Sequence, residues 1–331
     1  MNNNIQVSVI CYAYNHEKYI RQCLDGFVMQ KDITFEVIIH DDASTDGTAR
    51  IIREYEKKNP NIFKPIYQTE NQYSKQIPML IAKYTIPLIT GKYVAICEGD
   101  DYWTDPYKLK KQYDALERNP DCLMCVHKVR EINEDGSDSG YLRPREDIST
   151  SILPVGYICN HLNNAKFIHT SSFFFETNKY IEFIKNPPKF RLVSPGGDLP
   201  MLLYFNSIGK TYFINDLMSH YRFLSIGSYS YRNNNDPEKE IRMRSLMKKM
   251  RDMFFEYRLY IRDRNLDFDT KYIDEEIIRY DQSEYWYCID HHDYKSLFEE
   301  FTTKELKRFG LDRKAMLKMK LQIWFPKVFK V

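Results

Sequence analysis

Residues 95–106, AICEGDDYWTDP, place Glu98, Asp100 and Asp101 within four positions, directly after the apolar run YVAI. Like charges repel there, and burying them is costly. A cation relieves both problems. Magnesium and manganese prefer hard oxygen ligands, and magnesium is often held by one or two carboxylates together with substrate phosphates. The loop therefore suits a metal–diphosphate complex; the competing reading is an acidic cluster favoured by a helix N-terminus. A second acidic pair, Asp41-Asp42, closes FEVIIHDD and opens DDASTDGT. A carboxylate there can accept hydrogen bonds from a base edge or from ribose hydroxyls. Ser44, Thr45 or Asp46 can cap the helix that follows.

These acids need elements that bring them together. QVSVICY, FEVIIHDD, NIFKPIYQ and KYVAICEGDD read as buried strands, and the segments between them carry apolar residues at helical spacing, such as Tyr19, Ile20, Cys23, Leu24, Phe27 and Val28. Alternating strands and helices predict an α/β fold with a mostly parallel central sheet and helices on both faces. Ligands bind such sheets beyond the carboxyl ends of the strands, so both acidic clusters are expected in one crevice. Beyond residue 120 the pattern changes. DCLMCVHKVREIN, FIHTSSFFFE and KTYFIND read as strands, DLPMLLYFNSIG as a short helix, 141–165 as irregular, and LMSHYRFLSIGSYS as a loop. After NNNDPEKE the pattern turns helical, which sets a boundary at Asn233–Pro237. The expected division is 1–232, with halves 1–120 and 121–232, and a helical region 233–331.

Composition narrows the classes. The chain has 331 residues and net charge +2, so no global field recruits nucleic acid. Its seven cysteines form no framework; Cys122 and Cys125 make a CxxC with no second pair, and reduced buried thiols are expected. The N-terminus lacks a basic segment followed by an apolar run, and no apolar stretch approaches the ~20 residues a membrane span needs. A cytoplasmic protein is expected. The segment RKAMLKMKLQIWFPKVFKV (313–331) mixes cations with Met, Leu, Trp and Phe and has no acid. It suits an anionic membrane interface, which would make the protein peripheral at the inner face of the plasma membrane, or an ordinary helix packing on the body.

Three stretches, VSVICYAYNHEKYIRQCLDGFVMQ, EVIIHDDASTDGT and GKYVAICEGDDYWTDPYKLKKQ, together resemble a family 2 glycosyltransferase in order and spacing over most of residues 5–120. The resemblance implies a GT-A fold, a nucleotide-sugar donor, and Mn2+ or Mg2+ as cofactor. The family's Pro-Thr-Tyr-Asn corresponds to Tyr12, Ala13, Tyr14 and Asn15, with Glu17 following; Tyr12 and Ala13 depart from it. By the same resemblance Asp41 and Asp42 face the nucleoside, Asn71, Glu98 and Asp100 the donor, and Asp100 and Asp101 the metal.

The resemblance also implies inversion, in which a positioned carboxylate takes the acceptor hydroxyl's proton. SPGGDLPMLLYFNSIGK resembles the site of that base, with Asp198 opening a helix; Asp198 can equally be a simple helix cap. SHYRFLSIGSYS resembles a closing loop over the diphosphate, with Arg222, Ser225 or Ser228 as contacts and Leu224 where the family often has His; His220 is a substitute. His169, Thr170 and Ser171 are candidate acceptor contacts or plain strand residues. The expected function is transfer from a nucleotide sugar, a UDP-sugar, to a hydroxyl of a glycan or lipid-linked glycan in bacterial surface polysaccharide synthesis. The alternative is a nucleotide-sugar-binding module without chemistry. A dinucleotide oxidoreductase is disfavoured, because CYAYNHEK offers no glycine-rich turn.

Overall fold

The computed structural model describes residues 5–75, 80–161, 168–223, 225 and 237–324. β1 (Val7–Ala13), β2 (Phe35–Asp41), β3 (Phe63–Tyr67) and β4 (Tyr93–Glu98) alternate with α1 (Ile20–Val28), α2 (Thr48–Lys58) and a short α3 (Leu80–Thr85). They pair in the order β3-β2-β1-β4, all parallel. Their apolar runs are explained by cover on both faces. Ile10, Val94 and Ile96 join one cluster, while Val7, Val9, Cys11, Ala95 and Cys97 join the cluster on the opposite side, as alternating side chains require. On α1, Ile20, Cys23, Leu24 and Phe27 repeat at helical spacing and pack into that second cluster.

The second half adds β5 (Tyr102–Trp103), α4 (Lys108–Arg118), β6 (Cys122–Ile132), β7 (Asp138–Arg143), β8 (Ser151–Leu153), α5 (Tyr157–Asn160), β9 (Phe174–Glu176), α6 (Thr177–Lys185), α7 (Lys189–Val193), α8 (Asp198–Ile208) and β10 (Lys210–Arg222). The sheet continues β4-β9-β6-β10-β5. β6 and β10 are parallel, and β9 runs antiparallel to both its neighbours. Only three residues of FIHTSSFFFE form the strand, because Thr170–Ser172 curl into a 3-10 turn. β10 runs further than KTYFIND suggests and absorbs the first part of the expected loop through Arg222. Register shifts around Leu217 and Ser219 disguise that continuation in the sequence. The 141–165 stretch likewise contains β8 and α5. All seven cysteines are free and buried, as expected.

α8 buries every residue from Leu199 to Ser207, the pattern of a helix enclosed on all sides. It meets α9 (Lys239–Asp263), whose Met253, Phe254, Tyr257 and Ile261 enter the same cluster as β4 and α8. Ser207 and Tyr257 share a 2.5 Å hydroxyl contact across this junction. The helical region thus shares the sheet's core. α10 (Lys271–Asp290), α11 (Tyr294–Glu300), α12 (Thr303–Arg308) and α13 (Arg313–Trp324) close a smaller cluster of their own around Cys288, Leu297 and Leu306. α13 packs Met316, Ala315 and Met319 there, yet leaves Leu317 and Trp324 57% and 66% exposed. One face therefore packs on the body and the other is open. Residues 325–331 lie outside the described residues, as does most of the Asn233–Pro237 boundary. No helix of the described residues is long and apolar enough to cross a membrane.

Candidate active site

Parallel pairing aligns the strand ends. Tyr12 sits opposite His40 on β2 and Glu98 on β4, and Ala13 sits opposite Asp41. The Asp42 amide donates to the Ala13 carbonyl and the Gly99 amide to the Tyr12 carbonyl, both at 2.9 Å. The two acidic tips therefore leave the sheet on either side of the end of β1, at one edge, as the sequence implied. Gly99 gives the neighbouring side chains room. A Cβ there would stand 2.8 Å from His16 Nδ1 and from Ile20 Cδ1.

One carboxylate oxygen from each of Glu98, Asp100 and Asp101 lies within 4.8 Å of the others. Asp100 and Asp101 are buried. Ser225 Oγ donates to Asp100 Oδ2 at 2.6 Å, and the Arg222 amide donates to Asp101 Oδ1 at 2.9 Å. Asp101 Oδ2 is sealed from solvent with no hydrogen-bond partner. His169 Nδ1 lies 3.6 Å from it, too far for a hydrogen bond. Burial, helped by the charge of Arg143, holds that imidazole down to about 3, so it is neutral. Burial, then Asp100, Cys97 and Glu98, raise the Asp101 carboxyl well above the usual range. Glu98 keeps solvent contact at the rim of the crevice. The walls around it still strip away water, and this, with Asp100 and Asp198, pushes it up to about 8. An orphaned buried oxygen among clustered carboxylates is what a divalent cation would satisfy, and all the donors are hard oxygens. The residues fit the metal.

Asp41 and Asp42 are each 3% exposed. Ser44 Oγ donates to Asp41 Oδ1 at 2.5 Å, and burial raises the Asp41 carboxyl despite that bond. Asp42 accepts the Gln72 and Tyr73 amides at 2.7 and 2.9 Å, which folds the Asn71 loop over the strand end. Asn71 Oδ1 caps Ser74. Asn15, at φ 55°, accepts the Thr45 amide and Glu17 accepts the Gly47 amide, so the first two strand-end loops clamp each other. Ala13 is buried, whereas Tyr14 is 37% exposed. The Tyr12 hydroxyl turns to Tyr180 and Thr85. Neither the Gln72–Tyr73 turn nor the Tyr12–Tyr180 contact was visible in the sequence, because both depend on long-range packing.

Asp198 is the exposed first residue of α8, and its charge acts on Glu98 across the crevice. Arg222 is placed differently from a free phosphate ligand. Its guanidinium donates to the carbonyls of Glu134 (2.6 Å), Asn133 and Asp100 (3.3 Å each) and to Gln22 Oε1 (2.9 Å), and it lies over the Tyr19 ring. It braces the acidic loop from behind. His220 Nδ1 is engaged with Tyr102 Oη at 2.8 Å. His169 stacks on Tyr221, Ser171 is fully buried against Ser219, and Thr170 is half-buried. Ser171 is thus enclosed in the interior, away from any acceptor surface. Leu224 and Ser228 lie outside the described residues.

The sequence profile of glycosyl transferase family 2 matches residues 8–177. The chain belongs to that family. An uncharacterised Mycobacterium tuberculosis protein is 44% identical over 151 residues, covering 44% of this chain and 42% of that one. The Bacillus spizizenii poly(ribitol-phosphate) beta-glucosyltransferase is 34% identical over 135 residues, covering 40% of this chain and 20% of that one. The chain thus spans less than half the length of these relatives. S. aureus TarS 1–349, solved in complex with UDP-GlcNAc, superposes with a TM-score of 0.58 at 18% identity, over 96% of this chain and 79% of that one. That likeness shows a shared GT-A fold.

Proposed function

We propose that the protein is an inverting, metal-dependent glycosyltransferase that moves a sugar from a nucleotide sugar, a UDP-sugar, to a hydroxyl of a glycan acceptor in bacterial surface polysaccharide synthesis. The observation that carries this reading is the convergence of Asp41, Asp42, Glu98, Asp100 and Asp101 on one sheet edge, with the charge of Asp198 reaching Glu98. A relative named as a poly(ribitol-phosphate) beta-glucosyltransferase and a fold neighbour solved with UDP-GlcNAc support the donor and acceptor classes.

Asp41 offers a buried carboxylate to the nucleoside. Asp42 holds the Asn71 loop that would flank it. Asp100 and Asp101, with Glu98, would hold Mn2+ or Mg2+. When bound, the ion neutralises charge on the departing diphosphate. Asp198, open to solvent at the mouth of the crevice, takes the acceptor proton as the hydroxyl attacks the anomeric carbon. His169 and Thr170, near the acidic loop, would contact the acceptor. A cytoplasmic, membrane-peripheral setting is part of the same proposal. It is supported by the outward face of α13, where Leu317 and Trp324 stand among Lys314, Lys318 and Lys320. The division into 1–232 and an appended 233–331 remains a functional one, given the shared core.

Asp198→Asn tests the chemistry. It should abolish transfer from UDP-sugars while leaving Mn2+-dependent UDP binding within about twofold. Parallel loss of both would assign Asp198 a structural role.

A further inference from the structure

α7 carries an arginine that none of the foregoing uses. Arg191 is largely enclosed, and its Nε is sealed from solvent with no hydrogen-bond partner. Among the described residues its guanidinium makes no hydrogen bond and no ion pair. Burial works against its charge, and only the more distant Asp198, Tyr180 and Tyr12 oppose that effect. Arg143 Nε likewise makes no hydrogen bond, but that side chain still pairs with Glu131 through Nη2. Arg222 has carbonyl and Gln22 partners, and Arg244 grips Glu284 with two nitrogens. A guanidinium enclosed without an anion is costly, so Arg191 is conspicuous.

Its position gives the cost a purpose. Arg191 lies against the turn that presents Asp198. A Cβ on Gly197 would stand 3.2 Å from one Nη, and a Cβ on Gly196 would stand 3.1 Å from Asp198 Oδ1. Two glycines in a row therefore leave both polar groups uncovered at this turn. The guanidinium is a fork suited to carboxylate and phosphate. The diphosphate of a donor belongs at the acidic loop, where Asp100 and Asp101 lie. An anion at Arg191 must then come from the other end of the reacting assembly.

We propose that Arg191 binds an anionic substituent, a carboxylate or phosphate, on the sugar or acceptor that enters beside Asp198. The proposal rests on the glycosyltransferase reading above and narrows its substrate class to charged glycans.

The test is calorimetric titration of the wild-type chain and Arg191→Gln in Mn2+. The first arm compares UDP, UDP-glucose and UDP-glucuronate. The second arm, with UDP and Mn2+ present, compares methyl glucuronide with methyl glucoside, and glycerol 3-phosphate with glycerol. One arm should show the charged probe favoured by about tenfold to a hundredfold, and the preference should vanish in Arg191→Gln. UDP itself should bind both proteins equally. Because Arg191 has no hydrogen-bond or ion-pair partner to lose among the described residues, the thermal midpoint of the variant should equal or exceed that of the wild type. The proposal is overturned if no charged probe is preferred, if the preference survives the substitution, or if UDP binding falls by the same factor. A fall in thermal midpoint beyond a few degrees also overturns it, by assigning Arg191 to the fold. Failure of wild-type protein to bind UDP at all would instead bring down the reading on which the proposal rests.

Discussion

Arg222→Ala separates a brace from a ligand contact. In the structure this side chain leaves four acceptors dependent on it: the carbonyls of Glu134, Asn133 and Asp100, and Gln22 Oε1. The bonds at 2.6 and 2.9 Å are the strong ones; the two at 3.3 Å count for less. A buried acceptor left without its donor costs roughly 1–3 kcal/mol, so the truncation should cost about 4 kcal/mol. At about 2 °C per kcal/mol for a chain of this size, the thermal midpoint should fall by about 8 °C. UDP binding should weaken as well, since the acidic loop loses its backing. Arg222→Lys keeps the charge but not the fork, and should recover only part of the loss. Differential scanning calorimetry and UDP titration on the same samples decide the matter. A midpoint within 2 °C of wild type, combined with lost UDP affinity, would refute the brace and restore Arg222 as a direct diphosphate contact.

Lys108 is wholly buried, 4.0 Å from the Trp103 ring and hydrogen-bonded to Gln112, and burial pushes it down from 10.5 to about 7. Between about pH 7 and 10 the unfolded chain holds a proton that the folded chain lacks, so this residue makes stability rise with pH through that window. Its full cost, on the order of 5 kcal/mol, is present below pH 7; Lys108→Met should flatten the rise in midpoint between pH 7 and 9, measured by thermal melts. Asp42→Ala removes the acceptor for the Gln72 and Tyr73 amides. It should cost about 1–2 kcal/mol, as lost caps do, and hydrogen exchange should accelerate at residues 71–75. Unchanged exchange there would show that the loop is held by something else.

The parallel half of the fold was legible because its strands are apolar on both faces and its helices carry a single apolar stripe. The acidic tips were legible for the same reason. Parallel register places strand ends at one edge, so Asp41 and Glu98 had to be near each other. The second half was harder to read. β9 is three residues long, and its antiparallel insertion between β4 and β6 leaves no local trace. β10 hides its last residues behind register shifts. Among site residues, chemical type was readable but commitment was not. Arg222 and Ser171 both have suitable chemistry, yet long-range partners turn them inward. Arg191 shows the converse. Nothing in PPKFRLV marks it, and only the absence of partners around it draws notice.

The central claim is that the acids at the ends of β2 and β4 together hold a divalent cation and the nucleotide it accompanies. Crystals soaked in Mn2+ and UDP, with data collected at the manganese edge, test it directly. The expected result is an anomalous peak within coordination distance of Asp100 or Asp101, with the ribose toward Asp41 and Asp42. A peak elsewhere on the chain, or UDP bound away from that edge, would contradict the account.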